Sequence, residues 1–442
     1  MMLLVFTQAP WLSKENTLPG FPPFVPFIAL GLLLTLSRPV RAEDWPGWRG
    51  PTGMGQTRAK GLPLTWGGKD EANILWKTPL IDGDAKVRLD HNQSSPVVVG
   101  DRVFVTLSYW QADKTNKEYS EHHVVCFRKR DGKRLWDTQV KPGGWLLNDF
   151  RGGGYACPTP AADAERVYVV FGSAVIAALS HQGRLVWRKE IDPNNFDVAI
   201  GASPVLFGDT VLMICDRIGG KSTLMCFKRK TGDLNWEQQR PDVGFAHSTP
   251  VFAEIAGKTQ MLVAASNAIQ GLDPANGKVL WQCAAKGDTA SPVLADGIVY
   301  CDSGRGGTGT AVDPTGSGDV TKTHRKWQKE IPEGFSSPIV VGPYLYRLHN
   351  PGIVSCFKVA TGEQVYRERL RDISTTAASP IATPEGRIYF CSAGKSYVIQ
   401  AGAKFQVLAV NDLADPCHAS PAVADGKLFL KGRKYLYCIG NK

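Results

Sequence analysis

Three features of the 442-residue sequence point to one architecture, an all-β ring of eight four-stranded antiparallel blades. First, one phrase recurs eight times: a small residue, Pro, an apolar run, a turn and a second apolar run, as in SPVVVGDRVFV from Ser95 and SPVLADGIVYC from Ser291. Its prolines are Pro96, Pro160, Pro204, Pro250, Pro292, Pro338, Pro380 and Pro421, separated by 64, 44, 46, 42, 46, 42 and 41 residues. A period of about 40–45 residues built from short strands is the mark of a β-propeller with one blade per repeat. Second, Gly 46 and Pro 29 make the chain rich in turns, which favours short strands over long helices. Third, no stretch sustains a 3.6-residue apolar period, which excludes a helical bundle or coiled coil.

The elements follow in chain order. Residues 1–42 differ from the rest: Asn16 to Ser37 carries no charge, its apolar heart is FVPFIALGLLLTL, and PVRA ends at Ala42 before the acidic pair Glu43-Asp44. This pattern predicts a secretory signal cleaved after Ala42. The alternative is an uncleaved membrane anchor, against which Pro22, Pro23 and Pro26 leave an apolar core shorter than the ~20 residues of a span; no stable span is expected after cleavage. Residues 43–72 form an N-terminal lead segment, and residues 73–442 the propeller. Within each repeat a third strand is followed by a turn and an aromatic: DGKRLWD to Trp136, QGRLVWR to Trp187, TGDLNWE to Trp236, NGKVLWQ to Trp281 and TGEQVYR to Tyr366. Gly four residues before the aromatic predicts a two-residue hairpin turn with positive φ. The aromatics are expected to fill the seams between blades. The seventh ending, AGAKFQV, is degenerate, and Trp327 ends the fifth without the Gly. The eighth repeat stops after three strands, and NILWKTPL, Asn73 to Leu80, supplies a fourth that carries Trp76. The N-terminal strand is therefore expected to close the last blade, which leaves no open sheet edge in the ring.

Composition sets further limits. The 51 basic residues exceed the 41 acidic ones for a net charge of +10, but they are scattered, so no nucleic-acid-binding arm is visible. The ten cysteines include no CxxC and no adjacent pair. Cys126, Cys226, Cys356 and Cys438 stand at one strand position in successive repeats, which assigns them to the core as small apolar residues rather than to a disulfide framework or a zinc site.

The ending GLDPANGKVLW and the SPV…G-D-x-V phrase resemble the tryptophan-docking repeat of the pyrroloquinoline-quinone (PQQ) propeller superfamily, over residues 73–442. The opening DWPGWRGPTGMG is similar to the start of exported PQQ-like propellers. That superfamily includes quinoprotein alcohol dehydrogenases and the propeller protein of the outer-membrane barrel-assembly machine. The resemblance implies an eight-bladed propeller, and it implies bound quinone only where the dehydrogenase site is present. The adjacent cysteine pair of that site, its calcium carboxylates and a haem domain all lack a counterpart in this sequence. DPTGSGD, Asp313 to Asp319, lacks the bidentate Glu of a calcium loop and reads as a turn.

In a propeller, the loops entering each inner strand share one face with the loops between second and third strands. The latter loops carry Arg217, Lys221, Arg305, Arg347, His349, Lys395, Arg433 and Lys434, against Asp216 and Asp302. The residues three before each repeat proline are Gln93, Cys157, Gly201, His247, Thr289, Phe335, Ala377 and His418, and they are expected to ring the channel mouth. Candidate ligand-binding residues are therefore Gln93, His247, Arg305, His349, Lys395, His418 and Arg433, on a basic rim that would focus a protein or anionic ligand. The expected function is that of an exported, monomeric, non-catalytic binding or assembly scaffold at the cell envelope, with no cofactor and no metal. The alternative is a PQQ- and Ca²⁺-dependent dehydrogenase with an unusual site.

Overall fold

The computed structural model describes residues 43–81, 86–115, 117–146, 153–192, 200–217, 222–373, 376–392 and 395–442. The expected signal segment lies outside them, as does Lys221. Every element among the described residues is a β-strand, and the strands form eight sheets of four or five. Each sheet contains a four-stranded antiparallel blade that runs from a short inner strand to an outer one, and in blade 4 the two-residue strand Gly318–Asp319 adds a parallel pairing outside Val279–Ala284. Blade 1 shows the pattern with Val97–Val99, Arg102–Gln111, Glu121–Arg128 and Arg134–Val140. The middle strands are mostly buried, while the outer strand alternates half-buried and exposed residues. This is the pattern expected of a sheet packed between two neighbours with one solvated edge.

Blade 8 takes its outer strand from the other end of the chain. Ile74–Pro79 pairs antiparallel with Tyr435–Ile439, and Trp76 stands opposite Cys438. The four named cysteines sit across from the outer aromatics: Cys126 faces Trp136, Cys226 faces Trp236 and Cys356 faces Tyr366. A small side chain at this position leaves room for the large ring beside it. All ten cysteines are free thiols.

Most seam aromatics dock on the next blade, whereas Trp281 donates from Nε1 to Gln260 of its own blade. Trp76 lies against Gly132 and donates from Nε1 to the Lys129 carbonyl at 3.0 Å. Trp136 repeats this on Gly183 and His181, Trp187 on Gly232 and Arg229, and Trp327 on Gly362 and Val359. The connection itself differs from the two-residue hairpin expected. Residues 129–132 form a four-residue turn closed by Gly132 N donating to Arg128 O, after a bulge between Cys126 and Phe127. Gly132 has φ of 71°, and a Cβ there would lie 2.6 Å from the Trp76 ring. The glycine therefore answers to two demands, a left-handed backbone and a flat landing for the neighbouring indole.

The degenerate seventh repeat is completed from outside the repeat array. Phe104, Tyr168, Tyr300, Tyr346 and Phe429 occupy one register position in their blades and meet the outer aromatics Trp136, Trp187, Trp327, Tyr366 and Trp76 at 5.4–6.5 Å. Tyr389 holds this position in blade 7, where the outer strand Gln406–Asp412 has no aromatic. Trp66 of the N-terminal segment stacks on it instead, with centroids 6.2 Å apart and planes at 18°. Asn411 holds the segment there by accepting from Trp66 N and donating to Leu64 O, both at 2.8 Å.

Residues 45–57 run through the axial channel. Trp45 exchanges backbone hydrogen bonds with Val98 of blade 1, and Ala162 of blade 2 donates to Pro46 O. Trp48 reaches Ser291 of blade 5, Gln56 Nε2 donates to Val340 O of blade 6, and Thr57 N donates to Ala382 O of blade 7. Glu43 then accepts from Thr57 Oγ1 and from the amides of Arg58 and Ala59, tying the segment into a closed loop. The sequence read as a lead is thus an internal plug.

Candidate functional site: a floored cup on the propeller axis

The recurring Ser/Thr-Pro step builds the site. The residue before a proline is confined to extended backbone, so its amide points around the ring to the next blade. Ser95 N donates to Thr159 Oγ1, Thr159 N to Ser203 Oγ, Ser203 N to Thr249 Oγ1 and Thr249 N to Ser291 Oγ, at 2.9–3.3 Å. Ser291 N continues to Ser337 Oγ, Ser337 N to Ser379 Oγ, Ser379 N to Ser420 Oγ and Ser420 N back to Ser95 Oγ, at 2.8–3.1 Å. Eight such bonds make a closed hoop around the axis, and the last one joins blade 8 to blade 1.

A cup opens above the hoop. Gln93, Cys157, Gly201, His247, Thr289, Phe335, Ala377 and His418, one from each blade, line it. The hydroxyl-bearing residues Ser203, Thr249, Ser291 and Ser420 lie below them, and Arg305 stands on the wall. Trp48 of the plug forms the floor and separates this cup from an apolar groove on the opposite side, lined by Pro46, Pro51, Leu206 and Phe252 among others. No Asp or Glu is among the described residues that line the cup, and no cluster of His, Cys, Asp and Glu suited to a metal ion occurs among the described residues.

Of the seven candidate residues, Gln93, His247, Arg305 and His418 line the cup, while His349, Lys395 and Arg433 do not. His349 ends the strand Tyr344–His349 with its ring buried, Nδ1 against Pro332 O at 3.2 Å. Lys395 pairs with Asp372 at 3.0 Å. Arg433 has an exposed side chain, and its amide, with those of Lys434 and Tyr435, donates to the Asp415 carboxylate.

The rim is less basic than its residue count suggests, because several cations are buried in ion pairs. Arg347 is fully buried and grips Asp302 through Nε at 2.7 Å and Nη2 at 2.8 Å, a bidentate clasp between blades 6 and 5. Arg240 pairs with the buried Asp216, whose carboxyl burial nevertheless pushes up to about 6. Arg305, the most exposed of these, pairs with Asp288. Sequence reasoning placed Arg347 and His349 in solvent because it read their strand ends as loop.

The histidines respond to burial. His247 is pushed down to about 3 by burial and then by Arg305, so its ring is neutral at pH 7, and its buried Nε2 has no partner. Burial also lowers His418, with His91 and Arg433 adding to the effect. Lys431, from blade 8, is buried and donates to Ser94 Oγ at 2.7 Å in blade 1; burial pushes it down to about 7. Trp48 of the site escaped sequence reasoning, as did the buried Arg49 beside it in the plug. The density of Trp and Gly in DWPGWRGPTGMG is the signal that could have flagged close packing.

An eight-bladed β-propeller with an internally floored axial cup is the class that fold and site together define. The sequence gives the family: that of the outer membrane protein assembly factor BamB (PQQ_2) matches residues 120–368, just over half of the chain, and the chain belongs to it. Among solved structures, BamB from Moraxella catarrhalis is similar at 14% identity, over 83% of this chain and 98% of that one, with a TM-score of 0.56. A europium-containing methanol dehydrogenase is similar at 12% identity, over 88% and 89%, with a TM-score of 0.64. The quinohemoprotein alcohol dehydrogenase from Comamonas testosteroni is similar at 12% identity, over 90% and 81%, with a TM-score of 0.50. At these identities the likeness is one of fold. No curated protein matches the sequence.

Proposed function

We propose that the protein is an exported, non-catalytic propeller that serves as a binding or assembly scaffold at the cell envelope, with its cup face as the binding surface. The observation that carries this reading is the composition of the cup wall. A quinone held with a divalent cation needs hard anionic oxygens to ligate the cation, and none of the described lining residues is Asp or Glu. Asp302, the buried carboxylate of blade 5, is already committed to Arg347, Tyr300 and the Gly304 amide. Cys157 stands alone on the wall, and burial pushes its thiol up to about 12. The quinone-and-calcium arrangement does not fit these residues. Membership in an assembly-factor family supports the scaffold role.

An absorbance titration of the purified protein with PQQ and Ca²⁺, followed by a dye-linked alcohol oxidation assay, tests the reading. No saturable quinone spectrum and no dye reduction are expected. Calcium-dependent quinone binding with alcohol oxidation would overturn the non-catalytic role.

A further inference from the structure

The cup is rich in hydrogen-bond donors and poor in acceptors of charge. Ser203, Thr249 and Ser420 each accept a backbone N–H through the hydroxyl oxygen, so each keeps its own O–H to donate. Arg305 brings a guanidinium to the wall, where its Nε is engaged by Asp288, and His247 Nε2 is buried without a partner. The plug holds a second cation. Arg49, next to Trp48 in the plug, is 1% exposed. Its Nη2 donates to the carbonyls of Met54 and Pro338, but Nε and Nη1 have no partner, and no carboxylate among the described residues pairs with it. Arg347, the nearby cation that acts on it, is neutralised by Asp302, so the Arg49 charge stands uncompensated inside the channel. An unpaired buried cation is costly, and its field is weakly screened in the protein interior. A negative group resting on Trp48 would relieve that cost.

We propose that the cup is a metal-free receptor for an oxyanion, a carboxylate or phosphate group, held by Arg305, His247 and the hoop hydroxyls and drawn in by the buried Arg49 next to Trp48 in the plug. The proposal rests on the non-catalytic reading of the cup above. It assigns the plug a second role: the segment both closes the channel and supplies the charge.

The test is calorimetry and thermal shift on the full chain with citrate, phosphate and sulfate at fixed ionic strength, with chloride as the control. A hexaglutamate peptide forms a second arm, which separates a free small anion from an acidic partner segment. Saturable binding in either arm is expected, with a rise in the unfolding midpoint. The double variant R305Q/H247A alters only the wall and should weaken binding by about 10–100-fold, the effect of losing charge-assisted hydrogen bonds. R49M should weaken it comparably, and because that buried change alone can disturb folding, the wall variant decides. No saturable binding in either arm, or binding unchanged by R305Q/H247A, would overturn the oxyanion site and leave the scaffold role standing. Binding of PQQ that requires Ca²⁺ would overturn the scaffold role as well.

Discussion

Single side chains do two kinds of work around the axis: they close the hoop, or they titrate where water is excluded. Ser203 illustrates the first. Its hydroxyl satisfies the Thr159 amide, and both residues are buried. Ser203→Ala leaves that N–H without a partner and should cost about 1–3 kcal/mol, read as a lower urea midpoint at unchanged m-value. Three histidines illustrate the second. Burial is the main reason that His122, His247 and His349 are each pushed down to about 3, well below the ordinary 6.5. In the unfolded chain they take up protons near pH 6.5, whereas in the folded protein they resist until about 3. Between those values the unfolded state binds more protons, so stability is full above pH 6.5 and is lost as pH falls. Asp216, raised to about 6, and Asp90, also raised by burial, oppose this trend but are outnumbered by the three histidines. The unfolding temperature should therefore fall from pH 6.5 toward 4.5, on the order of 1 kcal/mol per pH unit for each histidine. A flat profile over that range would contradict the buried, neutral state of these rings.

At the scale of elements, the N-terminal segment completes what the repeats leave unfinished. Trp66 stands in for the aromatic missing from the outer strand of blade 7, and Ile74–Pro79 supplies the fourth strand of blade 8. Trp66→Ala removes a buried indole and its stacking on Tyr389. It should cost about 3–5 kcal/mol, as a seam tryptophan does, whereas truncating the exposed Val410 on the same outer strand should cost little. Equal midpoints for the two variants would show that Trp66 is not a seam residue. Deleting residues 43–80 removes plug, seam filler and closing strand together and bares the edge of Tyr435–Ile439. The deleted protein should aggregate or melt far below the full chain, and an unchanged thermal midpoint would refute closure by this strand.

For the whole molecule, the ring, the hoop and the plug form one body that spans Ala42–Lys442. Its first described residue, Glu43, is also the clasp that locks the plug by accepting from Thr57, Arg58 and Ala59. Cleavage after Ala42 would leave that clasp intact. Intact-mass measurement of secreted protein is therefore expected to give a chain starting at Glu43. Recovery of full-length protein with membranes would count against export in this form. No helix among the described residues is long and apolar enough to cross a membrane.

The sequence by itself determined the repeat, the blade count, the seam aromatics and the eight positions around the channel mouth. These are legible because each blade solves the same packing problem with similar residues: Ser/Thr-Pro sets the hoop, a small residue faces each aromatic, and in five of the seams a Gly of the next blade receives it. A repeated local solution leaves a period in the chain, and a period can be read without coordinates. What only the tertiary structure decided are the encounters between residues far apart in sequence and belonging to no repeat. Arg347 and His349 are buried because strand Tyr344–His349 extends deeper than its pattern showed, and Asp302 of the neighbouring blade reaches Arg347 there. Trp48 becomes a floor, Arg49 an uncompensated charge and Trp66 a substitute seam residue because a segment without periodicity threads a channel that exists only once all eight blades have closed. Contacts of that kind arise from the closed ring and carry no spacing signal along the chain.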